Sequence, residues 1–598
     1  MKVGFDCAAG GVVRCGIVKR ETGKDGGVLN RRGVVVWTAL LLAAPGFCAC
    51  DSSGGFNVRL SFGQAKKAAS SCAKFQANKA GSTPCGISKF RLCAANAAAG
   101  AVIYGDYGAA EGEPGVTLEV PPGDYALSFQ GYDAEREDLV VWCGRALGLS
   151  VKADETTQVS MFVARCSDFV FTAGAMKTKR AFHAAAPLPD GRVLLTGGVG
   201  ELDSGESCGN ACTVVSAQNA AEIYDPATGE FEAAGAMSAP RAFHTATTLA
   251  DGTVVIAGGA ETVRVYRFPG GGTPMFVPDT LVDSSKAAEA FDPESKKFKS
   301  VSGAGERAMH AAVATRGGKV VLVGGVTEEG AFAPSDSIEV GDAKGFSAET
   351  QMSTPRAFAA AADFSAPGDA ASTVLIWGGN VPGAGEGNAG IFGEVWSEGG
   401  GAGSTRTPAA LEDDVVGLPL FHHAAALLPD QRVIVAGGMF VKDYIDKDGS
   451  LFGPAEPLRK VRLVDLAGTN GVTVPEEAAY ELRYARAMHT ATPLPDGRVL
   501  VTGGFSARTP SCKAPVCFDP TDTVEVFIPI SEIFDTLHPA GLTGAGNPLI
   551  VMGKARAGHT ATPLPDGSVL VAGGASSGKD VEGTAEVFSP LPTALGQY

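Results

Sequence analysis

The stretch RAFHAAAPLPDGRVLLTGG at residues 180–198 returns almost unchanged at residues 486–504 as RAMHTATPLPDGRVLVTGG. Five further segments share its outline, and the copies follow one another at intervals of roughly sixty residues. Such a period is typical of repeat architectures, in which each unit buries its apolar surface against the next unit. The other copies begin at residues 241, 307, 356, 420 and 556.

Each copy predicts a β-hairpin followed by two more strands. HAAAPL is a first strand, PDG a tight turn, and RVLLTGG a second strand rich in β-branched and aliphatic residues. After a variable connection a third strand follows, as in AEIYDPATGEF at 221–231 and TAEVFSP at 584–590, and the next turn leads into a fourth strand. Four antiparallel strands per unit, repeated radially, predict a β-propeller. The segment 169–173 is expected to complete the seventh unit, because that unit ends after its third strand.

The double glycine that ends the second strand, followed by a third strand of the form AEIYDP, resembles the kelch repeat over roughly residues 167–590. The family usually carries a Trp after that strand, whereas this chain has Phe231 and Phe298. The resemblance implies a seven-bladed kelch-type β-propeller. That fold is shared with copper-radical oxidases and hosts many functions, so it leaves the activity open.

The segment before the repeats has a different character. GVTLEVPPGDYALSFQGYD at 115–133 reads as strand, turn and strand, and it resembles Ig-like or carboxypeptidase-regulatory-like modules. The sequence therefore predicts an all-β protein in three parts: an export segment over 1–50, a small antiparallel β-sandwich over 51–166, and the propeller over 167–598.

The export segment resembles a bacterial lipoprotein signal. Arg31 and Arg32 precede the apolar run GVVVWTALLLAAPGF, and FCAC follows, with Cys50 as the expected lipidation site. Acidic residues within the first thirty positions do not fit a signal, so we expect the true start near residue 28. Plain secretion and a retained anchor helix are the alternatives. The predicted location is extracytoplasmic, at the outer membrane or cell surface.

Cysteine spacing supports export. Two close pairs in the repeat region, Cys208 with Cys212 and Cys512 with Cys517, predict local disulfides in long loops. Five more cysteines lie in residues 51–166, so one thiol there is expected to be free unless the boundary is misplaced. The cysteines show no spacing typical of zinc sites.

Arginine and histidine recur at fixed positions of the repeat. Two hypotheses explain them: a ring that binds a metal or an anion, or contacts that tie each unit to the next through backbone carbonyls. We favour the structural role, because catalysis needs one asymmetric site and packing needs the same residue in every unit. We therefore predict no catalytic residue, metal or cofactor. The positions are Arg180, Arg241, Arg307, Arg356, Arg486 and Arg556, with His183, His244, His310, His423, His489 and His559.

The net charge of the chain and the face that carries the long loops limit the possible classes of function. The net charge of −16 argues against nucleic-acid binding. In an up-and-down unit, the connection into strand one and the connection between strands two and three open on one face, which then carries the long variable loops. We expect a lipid-anchored protein that binds a polysaccharide or a protein through this loop face. The alternatives are an oxidase-like or hydrolase-like enzyme acting on a carbohydrate or polymer, and a purely structural protein.

Overall fold

The computed structural model describes most of the chain from residue 54 to residue 590. Its described residues contain no α-helix, and none of their helical segments is long and apolar enough to cross a membrane. The predicted export segment and Cys50 lie outside them. The described ranges are 54–62, 87–96, 101–108, 116–133, 140–203, 205–208, 212–267, 274–329, 333–365, 368–379, 393–398, 420–441, 455–465, 481–506, 519–529, 533–535, 550–577 and 579–590.

The first seven strands form one sheet around an apolar core that includes Phe56, Leu127 and Phe129. Their order is β3-β2-β5-β6-β7-β1-β4, and the Tyr107 hydroxyl donates to the Thr117 carbonyl across the gap between β3 and β4. The pairing of β1 with β7 is parallel, which corrects the all-antiparallel expectation for this region. Side-chain alternation reveals which face of a strand is buried but not the direction of its neighbour. The strands are β1 (Gly54–Phe62), β2 (Ile87–Asn96), β3 (Ala101–Gly108), β4 (Val116–Val120), β5 (Gly123–Asp133), β6 (Val140–Val151) and β7 (Thr156–Arg165).

Each sequence copy forms its own antiparallel sheet, so the all-β class predicted from the sequence is confirmed. The first hairpin forms as expected, and the second strand is buried in every copy except at its first residue in the fourth and fifth, Thr373 and Arg432. The strands up to the third copy are β8 (Asp168–Phe171), β9 (Ala184–Pro187), β10 (Val193–Thr196), β11 (Glu206–Ser207), β12 (Cys212–Ser216), β13 (Ala220–Asp225), β14 (Glu230–Ala236), β15 (Thr245–Thr248), β16 (Val254–Ala257), β17 (Ala260–Tyr266), β18 (Met275–Leu281), β19 (Ala288–Asp292), β20 (Lys297–Val301), β21 (Ala311–Ala314), β22 (Val320–Val323), β23 (Ser335–Asp342) and β24 (Gly345–Arg356); a short 3-10 helix, Ser284–Lys286, precedes β19.

The later copies vary more in strand number. The fourth contributes three described strands, and the fifth and sixth each form sheets of six. These strands are β25 (Ala360–Asp363), β26 (Thr373–Trp377), β27 (Gly393–Ser397), β28 (Leu420–Phe421), β29 (Ala424–Leu427), β30 (Arg432–Ala436), β31 (Met439–Val441), β32 (Ala455–Asp465), β33 (Glu481–Arg486), β34 (Thr490–Pro493), β35 (Val499–Thr502), β36 (Phe505–Ser506), β37 (Asp519–Ile528), β38 (Ile533–Asp535), β39 (Val551–Arg556), β40 (Thr560–Pro563), β41 (Val569–Ala572) and β42 (Ala585–Ser589).

The order of neighbouring sheets returns to its starting point. The first hairpin strands are neighbours in the order β9, β15, β21, β25, β29, β34 and β40, and β40 also lies beside β9. As predicted, β8 from before the first copy pairs antiparallel with β42, placing Phe169 opposite Phe588. The first and last described strands of the repeat region therefore share one sheet.

The long connections of the first two copies build a further sheet that the sequence did not predict. It has the order β11-β12-β17-β18, and we call it the loop sheet. The predicted disulfide between Cys208 and Cys212 is present at its β11–β12 end, and the other predicted pair, Cys512 with Cys517, lies outside the described residues.

A second disulfide fixes the passage from the first sheet into the repeats. Cys143 on β6 is bonded to Cys166, which directly follows β7, while Cys93 is a buried free thiol. Phe162 on β7 packs into the core of the first and seventh repeat sheets beside Gly229, where a Cβ atom would lie 2.7 Å from the ring. Disulfides persist in oxidising compartments, so these two bonds indicate an extracytoplasmic environment.

Removing the Cys143–Cys166 bond should destabilise the protein more than removing the Cys208–Cys212 bond. The sequence separations are 23 and 4 residues, and loop-closure entropy assigns them about 3 and about 2 kcal/mol. Urea unfolding of the double alanine variants Cys143→Ala/Cys166→Ala and Cys208→Ala/Cys212→Ala measures both. Equal loss in the two variants would contradict the expected dependence on loop length.

Candidate functional site

The six repeat arginines are buried and make the same two contacts. In each, Nη1 donates to the carbonyl of the first glycine of the double glycine in its own copy, at 2.6–3.0 Å. Nη2 meets a glutamate of the third strand, for example at 2.7 Å between Arg241 and Glu289. The expectation that the guanidinium groups bridge neighbouring units is therefore not met, because these bonds stay within one copy. The pairs are Arg180–Glu222, Arg241–Glu289, Arg307–Glu339, Arg356–Glu394, Arg486–Glu525 and Arg556–Glu586.

Each glutamate also fixes the chain that leads into its copy. Glu222 accepts hydrogen bonds from the backbone N–H of Lys177 at 2.7 Å and of Thr178 at 3.1 Å. Glu525 accepts one from the N–H of Arg483 at 2.6 Å. A buried carboxylate needs both a cation and hydrogen-bond donors to offset its lost hydration, and this arrangement supplies both.

The fifth copy replaces both members of the pair. Leu420 occupies the arginine position. Arg462 occupies the glutamate position, because it pairs with Val435 on the second strand as Glu222 pairs with Leu195 in the first copy. The two replacements occur together, as expected if a lone buried carboxylate is unfavourable. The sequence analysis did not identify these glutamates. The simultaneous loss of arginine and glutamate in the fifth copy indicates, from the sequence alone, that the two residues form a pair.

The repeat histidines lie between neighbouring copies. Nε2 of His183 is 2.9 Å from Thr560 Oγ1 of the seventh copy, Nε2 of His244 is 2.8 Å from Thr196 of the first, and Nε2 of His310 is 2.9 Å from Thr245 of the second. These bonds cross from one copy to the preceding one, mostly through threonine hydroxyls rather than the expected carbonyls. His423 does contact a carbonyl, that of Trp377, at 3.2 Å.

Burial keeps these imidazoles neutral. It lowers the pKa of His310 and of His559 from 6.5 to about 3, and it lowers the pKa of His183, His244 and His489 well below 6.5. Neighbouring guanidinium groups push in the same direction. Among the described residues, no three side chains of His, Cys, Asp or Glu are grouped as metal ligands.

Six of the seven double glycines contact the backbone carbonyl of the repeat arginine in the next copy. The N–H of Gly198 donates to the Arg241 carbonyl at 2.7 Å, and that of Gly574 donates to the Arg180 carbonyl at 2.7 Å, which links the seventh copy to the first. Gly258 has φ +64°, and a Cβ atom there would lie 2.3 Å from the Arg307 carbonyl oxygen. Glycine is required at this position by both backbone conformation and space.

Gly258→Ala should therefore be strongly destabilising. The left-handed conformation costs a non-glycine residue about 1–2 kcal/mol and overpacking adds about 1–3, so we expect a loss of roughly 2–5 kcal/mol. Gly318→Ala is the matched control, because Gly318 has φ +74° but no atom lies within 4 Å of the place a Cβ atom would take. It should lose only about 1–2 kcal/mol in urea unfolding. Equal losses would show that crowding against the next copy is unimportant.

A second set of inter-copy bonds involves the residue just before each histidine position. These seven residues, which we call the central ring, all have φ between +52° and +61°. Six N–H to carbonyl bonds of 2.8–3.0 Å join neighbours in the ring, for example from Phe243 to Phe182 and from Phe182 to Gly558. Such φ values are rare for bulky side chains, so this local strain is maintained by the surrounding contacts. The members are Phe182, Phe243, Met309, Phe358, His422, Met488 and Gly558.

The loop sheet packs on the central ring. The ring of Phe276 on β18 has its centroid 4.4 Å from that of Phe182 and 6.0 Å from that of Phe243. Gly558 makes room for Phe182, since a Cβ atom there would lie 2.2 Å from the phenyl ring. The apolar loop-sheet residues Val265 and Phe276 thus belong to the same core as Phe182 and Met309 of the central ring.

The repeated arginines and histidines thus make their contacts within the protein. The chain was compared with known protein families and with curated proteins, and it matches none of them.

Proposed function

We propose that the seven repeat sheets are the blades of a kelch-type β-propeller, and that the protein is an exported binding protein. The chief support is the cycle of neighbouring first strands from β9 to β40 and back to β9. The double glycines and the strand order agree with the kelch resemblance of the sequence. Radial repetition leaves only short sheet edges, which β8 pairing with β42 protects further.

We propose the loop face as the binding surface for a polysaccharide or a protein. The arginine–glutamate pairs stabilise each copy internally and the buried histidines bond neighbouring copies, which leaves both sets unsuited to catalysis. The variable connections differ from copy to copy, and in the first two they form the loop sheet over Phe182 and Phe243. A rigid scaffold that displays variable loops is a common design for recognition.

Glycan-array and surface-resonance binding with the purified protein test this proposal. Glu201→Lys/Glu206→Lys changes two exposed residues on or beside the loop sheet, and Asp251→Lys/Glu294→Lys makes the same charge change in hairpin turns away from it. We expect the first variant to weaken binding of the identified ligand and the second to leave it unchanged. Equal effects, or turnover of a carbohydrate by the wild-type protein, would contradict a loop-face binding protein.

We further propose that Cys50 carries a lipid anchor. The support is the FCAC motif after the apolar run, together with disulfides that indicate export. Fatty-acid labelling should mark the wild-type protein and not a Cys50→Ser variant. A labelled Cys50→Ser variant, or an unlabelled wild-type protein, would contradict the anchor.

A further inference from the structure

A groove of about 310 Å³ lies beside the outermost strand of the second repeat sheet. It is lined by two lysines, Lys299 and Lys344, and by three serines, Ser285, Ser300 and Ser302. No carboxylate lines it, although the chain as a whole carries a net charge of −16. The lining itself therefore carries positive charge, in contrast to the chain as a whole.

The two ammonium groups are available to a ligand. Neither Lys299 nor Lys344 forms an ion pair with any residue that the structure describes, and both side chains are exposed. Other lysines of the repeat region, such as Lys296 and Lys554, are paired with glutamates at 2.8 and 3.7 Å. Lys299 and Lys344 therefore both line this groove without such a partner among the described residues.

The nearby carboxylates are already engaged by backbone groups. Asp283 accepts hydrogen bonds from the N–H of Ser285 at 2.9 Å and from its hydroxyl at 2.5 Å. Asp342 accepts one from the N–H of Lys344 at 2.7 Å, and Glu306 accepts one from the N–H of Ser284 at 2.9 Å. These carboxylates hold the turns that carry the groove.

A backbone hydrogen bond holds the two sides of the groove together, and both polar and apolar residues line it. The N–H of Phe346 donates to the Ser302 carbonyl at 2.8 Å, which ties the third sheet to the second at the groove. Half-buried Ala343 adds a small apolar patch. Lysine and serine side chains suit oxyanions and hydroxyl groups, and an apolar patch suits the C–H face of a sugar ring.

We propose that this groove binds one acidic saccharide unit, with its carboxylate or sulfate group between Lys299 and Lys344. Its volume is at the lower end of the range for small-ligand sites, which favours a single sugar unit. The strongly acidic chain disfavours long polyanions such as nucleic acids. This site is separate from the loop face and does not depend on what that face binds.

Calorimetric titration of the full protein tests the proposal with three probes: sodium sulfate, a sulfated disaccharide and a glucuronate disaccharide. We expect at least one disaccharide to bind more tightly than sulfate alone. Lys299→Gln/Lys344→Gln should weaken that binding roughly tenfold or more, because both charge-assisted contacts are lost. Lys177→Gln/Lys319→Gln, which removes the same charge from exposed lysines elsewhere, should leave it unchanged.

Two outcomes would overturn the proposal: no probe binds the wild-type protein at millimolar concentration, or both double variants lose affinity equally. The second outcome would indicate general charge attraction. All four substituted lysines are exposed, so unchanged thermal melting of the variants verifies that the fold is intact. Loop-face variants should not affect this titration, so failure here is distinguishable from failure of the proposed function.

Discussion

Lowering the pH from 7 to 5 should remove much of the stability of this protein. Five repeat histidines are buried, and their pKa values in the folded protein lie well below the ordinary value of 6.5. Below pH 6.5 the unfolded chain binds protons that the folded protein cannot bind. The stability from these groups is therefore complete above that pH and falls as the pH decreases, down to about pH 3 for His310 and His559.

The expected size of this effect is large. Each histidine contributes a loss of about 1.4 kcal/mol per pH unit within that window, and five act together. The net stability of a folded protein is commonly only about 5–15 kcal/mol, so unfolding between pH 6 and pH 4 is expected.

Urea unfolding at pH 7, 6 and 5 measures the effect as the number of protons taken up on unfolding. We expect about five from these histidines. In the control variant His310→Gln, which retains a group able to bond Thr245, the uptake should fall by one. A free energy of unfolding that stays constant from pH 6.5 to pH 5 would show that the histidines titrate freely in the folded protein.

Arg486→Leu should be strongly destabilising. Arg486 and Glu525 are both fully buried, with 2.6 Å between Nη2 and Oε1, and Arg486 also donates to the Gly503 carbonyl at 2.7 Å. Removing the guanidinium leaves a buried carboxylate without a cation, which costs about 3–5 kcal/mol. The midpoint of urea unfolding measures this loss.

Two further variants distinguish the stability lost through an unpaired buried charge from the stability lost through poorer packing. Arg486→Leu/Glu525→Leu removes both charges and should recover part of the lost stability. Arg498→Leu in the same copy breaks a partly exposed pair with Asp496 and should cost at most about 1 kcal/mol. If Arg486→Leu cost no more than Arg498→Leu, the buried pairs would not hold the copies in shape.

The strands and their repetition could be predicted from the sequence because they depend on local patterns. The hairpin around PDG, the buried second strand and the pairing of the segment before the first copy with the last third strand all follow from apolar runs, turn residues and counting. The Cys208–Cys212 bond followed from close spacing.

What could not be predicted depends on contacts distant in sequence. Arg486 pairs with Glu525, and residue spacing does not reveal that the strand of Glu525 lies beside Arg486. The loop sheet likewise combines connections from two different copies. The positive φ of Phe182 and Phe243 contradicts their local preference, since packing around the central ring imposes it. Local pattern also gave no signal for the parallel pairing of β1 with β7.

We infer that the repeated arginines stabilise each sheet, that the histidines join neighbouring sheets, and that recognition is left to other surfaces. Elemental analysis of the purified protein, prepared without chelator, tests it most directly. We predict no stoichiometric transition metal. One equivalent of zinc or copper per chain, lost in the His310→Gln variant, would contradict the claim and make the histidines a metal site.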